Sequence, residues 1–367
     1  MHDVIVVGAG IVGLAHALAA ARRGKRVLVI DRDAQANGAS IRNFGFVTVT
    51  GQERGRVWDL ARRSAAVWRE IAEPSGIRIE QQGLLLVAQR SEAVDVLDAF
   101  LATEMGKECQ RLTGEEAQAV CPAISWAQAG LLSPHDLRVE SRTAIPLLAR
   151  WLEAAYGVTF KRGVAARHIE TGAVHCTDGI YRAEQIILCP GDDWATLYPD
   201  VYAEAGITRC KLQMLRLEAP GWRLPAPVMS DLSLARYLGY AALPEAASLR
   251  TRLEQEAAGA LAYGIHLIVV QSADGSLIVG DSHHYAPTPD PFSIDAVDAE
   301  ILRQYEAVLG PASRIAERWT GTFASAAGHS IVRKPDDGVT LVVVTSGTGA
   351  STSFALAEDV IGGIFDN

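Results

Sequence analysis

Apolar residues in this chain occur as short continuous runs and as longer stretches with helical spacing, a pattern that predicts a mixed α/β protein. The chain opens with an apolar run from Asp3 to Val7, a glycine turn and an alanine-rich amphipathic stretch from Leu14 to Arg23. A second apolar run, from Arg26 to Ile30, ends at Asp31. Short continuous apolar runs are typical of strands buried on both faces of a parallel sheet. These residues therefore predict a strand, a helix and a second strand.

The same reasoning predicts elements along the rest of the chain. Helical spacing is found in Arg54–Ile71, Ser91–Glu108, Arg142–Tyr156, Asp295–Leu309 and Ser351–Ile364. Runs typical of strands are Glu184–Cys189, Lys211–Glu218, Ile265–Gln271, Ser276–Gly280 and Thr340–Thr345. The pattern predicts strand, turn and strand over Ile77–Ala88, irregular structure over Pro122–His135, and a helix or mobile insertion over Pro244–Leu261.

The turn after the first strand reads Gly8-Ala9-Gly10-Ile11-Val12-Gly13, a G-x-G-x-x-G sequence. Here the first glycine allows a tight bend, the second lets a pyrophosphate approach the helix N-terminus, and the third lets helix and strand pack closely. Asp31 is placed to accept hydrogen bonds from a ribose, and its charge disfavours a 2′-phosphate. The unit predicts a site for FAD or NAD; a glycine turn that serves only packing is the alternative.

The β-rich segments lie between segments of the nucleotide-binding pattern, so we predict two interleaved domains. A Rossmann-like nucleotide-binding domain of the α/β class comprises residues 1–80, 142–212 and 320–367. A β-rich α+β substrate domain comprises residues 81–141 and 213–319. Two consecutive domains divided near residue 210 are the alternative.

The composition mainly excludes certain classes of protein, partner and site. A net charge of −9 and the lack of a basic stripe argue against a nucleic-acid partner. Five scattered cysteines without C-x-x-C spacing argue against a disulfide framework and a structural zinc site, and they fit a reducing cytoplasm. No apolar run is long enough to span a membrane, and no signal peptide precedes the first strand, so we expect a cytoplasmic protein.

Four further motifs are Ser40-Ile41-Arg42-Asn43-Phe44-Gly45, Leu188 to Trp194, Lys211 to Arg216, and Ser346-Gly347-Thr348-Gly349 before the last helix. Together they resemble the D-amino-acid oxidase superfamily of FAD enzymes, which includes glycine and sarcosine oxidases. The resemblance implies FAD as the cofactor. The residues implied to bind it are Gly8, Gly10, Ile11, Val12, Gly13, Asp31, Arg32, Ser40, Asn43, Phe44, Gly45, Val164, Gly191, Trp194, Gly347, Gly349, Ala350, Ser351 and Thr352.

The N-terminus of the last predicted helix is suited to a flavin for an electrostatic reason. Reduced flavin carries negative charge, and a helix N-terminus at Gly349–Thr352 would stabilise that charge; a capped helix without a ligand is the alternative. The covalently flavinylated members of the superfamily carry a cysteine near this region. No cysteine lies between Leu309 and Ser346, so we expect non-covalent FAD.

Finer features concern the substrate. The segments Gly280 to Tyr285, Asp290 to Phe292 and Arg318 to Thr322 resemble a branch associated with phosphonate utilisation, which implies an amine such as 2-aminoethylphosphonate or an N-methyl derivative. Some members activate oxygen with a lysine near the position of Ile278, which this chain lacks, so the acceptor is oxygen or another electron acceptor. Thr348 stands where amino-acid oxidases often carry a carboxylate-binding arginine, which argues against a simple α-amino acid.

The candidate catalytic residues are Arg42, His283, His284 and Trp319. Arg42 is a candidate to hold an anionic group or to lie against the flavin, and one of the two histidines is expected to face the pocket. Trp319 is a candidate wall of the pocket. The alternatives are a solvated arginine, a surface or packing histidine pair, and an aromatic core residue.

The favoured hypothesis is FAD-dependent oxidative deamination of a small amine that carries an acidic group, with hydride transfer to flavin N5. The alternatives within the superfamily are a glycine-, sarcosine- or D-amino-acid-type oxidase and a dehydrogenase with a non-oxygen acceptor. An NAD-dependent dehydrogenase and a non-catalytic flavin-binding redox module are the remaining alternatives.

Overall fold

The computed structural model describes residues 2–366, and the strands over this range form two sheets. The strands are β1 His2–Val7, β2 Val27–Asp31, β3 Phe46–Val47, β4 Ile79–Ala88, β5 Gln110–Thr113, β6 Ala129–Val139, β7 Thr159–Arg162, β8 Ala166–Glu170, β9 Ala173–Cys176, β10 Gly179–Leu188, β11 Thr208–Leu217, β12 Val228–Met229, β13 Ile268–Gln271, β14 Leu277–Gly280, β15 His284–Ala286, β16 Ile315–Ser325, β17 Ser330–Asp336 and β18 Val339–Val344.

Helices connect and cover these strands. They are α1 Ile11–Arg22, α2 Arg56–Ser75, α3 Ser91–Leu101, α4 Gly114–Val120, α5 Ser141–Tyr156, α6 Pro199–Glu204, α7 Asp231–Leu234, α8 Leu238–Ala241, α9 Ala246–Glu256, α10 Ala258–Ala262, α11 Asp295–Leu309 and α12 Gly349–Phe365. A short 3₁₀ turn occupies Glu104–Gly106. In the part of the chain that is described, no helix is long and apolar enough to cross a membrane.

The first sheet has the strand order β17-β18-β10-β1-β2-β7, with β9 paired to β10 and β8 to β9. Strand β1 is parallel to β2 and β10, and β10 is parallel to β18. Val4 and Val6 enter the core on one face of the sheet and Ile5 the core on the other, which explains the continuous apolar run. Because these strands are parallel, the segments that follow β1, β2, β10 and β18 meet at one edge, where such folds bind ligands.

The second sheet has the strand order β15-β11-β14-β13-β12-β4-β6-β3, with β16 paired to β11 and β5 to β6. Its strands alternate along the chain with those of the first sheet. The prediction of a mixed α/β fold with a Rossmann-like sheet is confirmed. The predicted domain limits at 212 and 319 fall inside β11 and β16, and the division into domains stays a prediction.

Several predicted elements are corrected. Strand β4 is continuous where a turn was expected, because Gly83, with φ of +79°, forms a bulge between Gln82 and Leu84. The region Pro122–His135, expected to be irregular, contains much of β6, and Pro134 lies in the part of β6 opposite that bulge. Helix α3 ends at Leu101 rather than Glu108. The predicted helix or insertion at 244–261 is the helix pair α9 and α10, and β16 and β17 were not predicted.

Candidate active site

The turn between β1 and α1 has no room for side chains at its glycines. Gly8 has φ of +108°, and a Cβ there would lie 2.2 Å from the carbonyl oxygen of Cys189. A Cβ at Gly13 would lie 1.8 Å from the carbonyl oxygen of Gly8, and one at Gly10 would lie 2.9 Å from Ser40 Oγ. The Ile11 N–H donates to Ser40 Oγ at 2.9 Å. The turn therefore forms a bare backbone surface at the N-terminus of α1, as a pyrophosphate requires.

Asp31 is fixed at the end of β2 beside this turn. Its two carboxylate oxygens accept hydrogen bonds from the N–H groups of Ala9, at 2.6 Å, and Asp33, at 2.8 Å. These bonds hold the carboxylate at the cavity, where it retains lone pairs for ribose hydroxyls. The neighbouring Arg32 forms an ion pair with Asp193 at 2.6 Å.

Asn43 fixes the loop that follows β2. Its side-chain amide donates to the carbonyl of Ala39 at 2.7 Å. Its Oδ1 accepts from the Gly45 N–H at 2.6 Å and from the Ser141 hydroxyl at 2.7 Å. Asn43 thus acts on the loop itself and holds its backbone against the start of α5.

Arg138, on β6, supports the same loop through a hydrogen bond from its side chain. The side chain is fully buried, donates to the carbonyl of Phe44 at 3.2 Å, and forms an ion pair with Glu140 at 2.8 Å. A buried guanidinium needs such partners because an unpaired buried charge is costly. The loop is therefore held by strand β6 of the second sheet and by the start of α5.

The N-terminus of α12 lies beside the start of α1, at the same end of the cavity as the glycine turn. Gly349, Ala350 and Ser351 line the cavity. Ser351 Oγ accepts from the Thr48 N–H at 2.9 Å, which ties α12 to the segment after β3. Thr352 Oγ1 lies 2.9 Å from Nε2 of His329. The positive end of the helix dipole at this place suits the negative charge of a reduced flavin.

One cavity of about 840 Å³ runs from the glycine turn to the second sheet. The predicted FAD-contact residues that line it are Gly8, Gly10, Ile11, Val12, Asp31, Arg32, Ser40, Asn43, Phe44, Val164, Gly191, Gly347, Gly349, Ala350 and Ser351. The predicted residues that lie outside its lining are Gly13, Gly45, Trp194 and Thr352. Gly13 and Gly45 allow close backbone packing instead, and the Trp194 ring carries the guanidinium of Arg209 at 3.9 Å.

The four catalytic candidates divide in the same way. Arg42 and His283 line the cavity, whereas His284 and Trp319 do not. Successive side chains of a strand point to opposite faces, and the His284 ring packs 6.2 Å from the ring of Tyr263. Trp319 Nε1 donates to the carbonyl of Arg42 at 3.3 Å, so Trp319 supports the loop from outside the cavity.

At the other end of the cavity lies a group of polar residues that the sequence analysis did not select. Arg236, His266 and Asp281 line the cavity beside His283. His266 Nε2 lies 3.1 Å from Asp281 Oδ1, and His283 Nε2 lies 3.8 Å from Asp281 Oδ2. Arg236 donates to the Tyr285 hydroxyl at 3.1 Å. Asp281 and His283 stand two positions apart in a quoted motif, but His266 and Arg236 had no sequence signal.

Burial sets the protonation of the histidines in this cavity. Burial lowers the pKa of His283 to about 3, and it also lowers the pKa of His266. Burial likewise lowers the pKa of His329 to about 4. All three imidazoles are therefore neutral at pH 7, able to donate or accept one hydrogen bond at each nitrogen according to tautomer.

The family model described as FAD dependent oxidoreductase matches residues 3–361. The chain belongs to the DAO family of FAD-dependent oxidoreductases. FAD is therefore its cofactor, and the bare glycine turn, Asp31 and the α12 N-terminus are the parts of the cavity that fit it. No curated protein matches this sequence.

Solved structures of the DAO fold support the assignment at the level of architecture. Glycine oxidase from Geobacillus kaustophilus is 19% identical with a TM-score of 0.78, over 98% of this chain and 94% of that one. L-Proline dehydrogenase from P. horikoshii is 20% identical with a TM-score of 0.78, over 99% and 93%. L-α-Glycerophosphate oxidase from Mycoplasma pneumoniae, solved with FAD bound, is 15% identical with a TM-score of 0.76, over 98% and 94%.

Proposed function

We propose that this FAD-dependent oxidoreductase oxidises a small amine that carries an acidic group. One observation carries the proposal. Arg42 and Arg236 both line the cavity, and neither has a carboxylate within 4.0 Å among residues 2–366, whereas the third lining arginine, Arg32, is paired with Asp193. The Asp281 carboxylate attracts Arg236 from beyond this distance. Guanidinium groups without a directly bonded carboxylate favour an anionic ligand.

Arg236 is the better candidate to bind the acidic group of the substrate. It adjoins Tyr237 and Leu238 at the end of the cavity formed by the second sheet, away from the glycine turn. Arg42 belongs to the loop that holds the flavin end and donates to Asn37 at 3.0 Å. We therefore assign the acidic group of the substrate to Arg236, with Arg42 as a second donor.

Two observations support an amine as the substrate: the names of the similar structures and the chemistry of FAD. Two of the similar structures are named for glycine and L-proline, which are amines with a carboxylate, and the third is named for a phosphate ester. FAD, when bound, supplies the acceptor for a hydride from the carbon bonded to nitrogen. The specific substrate that we propose is 2-aminoethylphosphonate or an N-methyl derivative.

The chain's own residues position the amine rather than deprotonate it. Phe46, Leu212, Ile268 and Phe323 line the cavity with apolar surface, which excludes water from bound substrate. An imidazole with a pKa of about 3, such as His283, is a poor base at pH 7. We propose that the amine binds in its neutral form, which needs no strong base.

The test is anaerobic bleaching of the flavin by matched amines. Arg236→Ala should slow flavin reduction by 2-aminoethylphosphonate at low substrate by roughly tenfold to a hundredfold, because a lost charged hydrogen bond costs ~1.5–3 kcal/mol. Reduction by 1-propylamine, which lacks the acidic group, should change much less. Arg236→Lys should recover part of the rate, since it restores the charge without the guanidinium fork.

Equal losses in the rate of flavin reduction with both amines would show that Arg236 does not bind the acidic group. Glycine, sarcosine and D-alanine form the comparison set, and faster bleaching by one of them would favour the amino-acid oxidase alternative. No lysine lines the cavity within the described range, which supports an acceptor other than oxygen. Reoxidation of the reduced enzyme by air and by a quinone, followed in the same apparatus, separates the two acceptors.

A further inference from the structure

His266, Asp281 and His283 form a compact cluster in the wall of the cavity. Each residue offers one ligand atom, and these atoms all lie within 4.8 Å of one another. His266 lies just before β13, and Asp281 and His283 follow β14, the strand paired with β13. The antiparallel pairing of β13 and β14 therefore brings three metal-ligating side chains together from two separate segments.

The cluster contains buried polar atoms that have no hydrogen-bond partner. Asp281 is 5% exposed and His266 is 4% exposed. Among the residues described, His266 Nδ1 is buried without a partner, and the one close polar neighbour of the buried Asp281 Oδ1 is His266 Nε2, at 3.1 Å in a poorly aligned contact. A buried carboxylate oxygen without a hydrogen bond is costly, so the cluster is incomplete without a further group.

The orientation of His283 suits a cation at this place, in addition to the more distant charge of Arg236. Its Nδ1 donates to the carbonyl of Gly264 at 2.9 Å, which leaves the lone pair of Nε2 directed toward Asp281. Two lone pairs facing each other repel unless a positive charge lies between them. A backbone carbonyl that accepts the other ring N–H is also the usual support of a metal-bound histidine.

We propose that His266, Asp281 and His283 bind a divalent transition-metal ion through two imidazole nitrogens and one carboxylate oxygen. Ligand atoms of a tetrahedral zinc ion, at about 2.1 Å from the metal, lie roughly 3.4 Å apart. The ligand atoms of the cluster lie within 4.8 Å of one another, and the distances to the carboxylate are 3.1 Å from His266 Nε2 to Oδ1 and 3.8 Å from His283 Nε2 to Oδ2. Small side-chain movements therefore bring the three ligand atoms to the zinc spacing. Imidazole and carboxylate donors suit zinc and iron(II) rather than calcium or magnesium.

The site is open toward the cavity. All three ligands line the cavity, so the remaining coordination positions of the ion face the substrate space. A site with three protein ligands and an open position is typical of metals that bind water or substrate. If the proposed function holds, the ion lies beside Arg236 and provides a second point of attachment for the acidic group, which the threonine at 348 cannot provide.

The test measures zinc binding by the FAD-loaded protein in equilibrium dialysis, with Zn²⁺ alone as the probe. The wild-type chain should bind one more tight zinc ion than Asp281→Asn, an isosteric change that removes the ligand charge. His283→Gln should lower the zinc affinity at least a hundredfold. His284→Ala is the matched control, because that neighbouring histidine lies outside the cavity, and its zinc affinity should equal that of the wild type.

Weak surface binding, for instance near the exposed His168 and the half-buried His175, is common to all of these proteins and cancels in the comparison. Circular dichroism and bound flavin absorbance check that each variant is folded. Equal zinc binding by Asp281→Asn and wild type would overturn the proposal. Zinc binding without flavin reduction by any amine would support the metal site and contradict the proposed function. Amine oxidation without zinc binding would support the proposed function and contradict the metal site.

Discussion

Single residues limit what the FAD turn can accommodate. Gly8 and Gly13 face backbone carbonyl oxygens at 2.2 Å and 1.8 Å from an added Cβ, so both are required for folding of the turn. Gly10 differs, because the nearest atom to its added Cβ is the movable hydroxyl of Ser40, at 2.9 Å. A substitution at Gly10 therefore separates cofactor binding from folding.

Gly10→Val should fold and yet lose FAD, because its side chain fills the space through which a pyrophosphate approaches the backbone. Flavin absorbance of the purified protein measures the result. Ser40→Ala is the control: it removes one hydrogen bond, worth about 0.5–1.5 kcal/mol, and should weaken FAD without abolishing it. The double variant Gly10→Ala with Ser40→Ala should still bind FAD poorly. A folded Gly10→Val protein with full flavin would remove the phosphate site from this turn.

At the scale of elements, the cavity depends on loops that are fixed by hydrogen bonds to neighbouring elements. The loop after β2 is held through Asn43 and Arg138, and α12 is held through Ser351 and Thr48. Gly45, at the end of the loop, has φ of +69°, and a Cβ there would lie 1.8 Å from the carbonyl oxygen of Val139. The loop thus depends on a glycine for conformation and for space at once.

Gly45→Ala should destabilise the protein far more than Gly163→Ala. Gly163 has φ of +71° but no atom within 4 Å of an added Cβ, so its variant has only the left-handed backbone cost, about 1–2 kcal/mol. Gly45→Ala has the same cost and also the overlap with Val139. Urea unfolding of both variants measures the difference. Equal midpoints would show that the loop moves away from β6 freely.

At the scale of the whole molecule, the cavity joins the two sheets. Its lining includes the turn after β1 in the first sheet and His266, Ile268 and Leu212 in the second. Cys189 is the lining cysteine, and it is buried within the part of the chain that is described. Burial raises the pKa of the Cys189 thiol, which keeps it protonated and unreactive.

FAD should therefore be held without a covalent bond. Acid precipitation should release all of the yellow colour into the supernatant, and flavin fluorescence of both fractions measures it. Colour that stays with the pellet would contradict this prediction. Because FAD binds the folded protein and not the unfolded chain, the stripped protein should also unfold at a lower temperature, and added FAD should restore the original midpoint.

The sequence by itself determined the nucleotide-binding half of this protein. Spacing along one βαβ unit is short-range information: Gly8, Gly10 and Asp31 are positioned by a strand, a turn and a helix with fixed geometry. The loop residues Ser40 and Asn43 were predicted from the resemblance to the superfamily, and both line the cavity. What the pattern could not resolve was which face a side chain takes, as His284 and Trp319 show.

Only the tertiary structure decided the other end of the cavity. His266 and Asp281 are fifteen residues apart and meet because β13 and β14 pair in one register, and a shift of one residue would turn their side chains to the opposite face. Arg236 reaches the cavity from a segment between two short helices, with no periodicity to mark it. Contacts set by strand register and loop packing depend on the whole fold, and so they leave no local signal in the sequence.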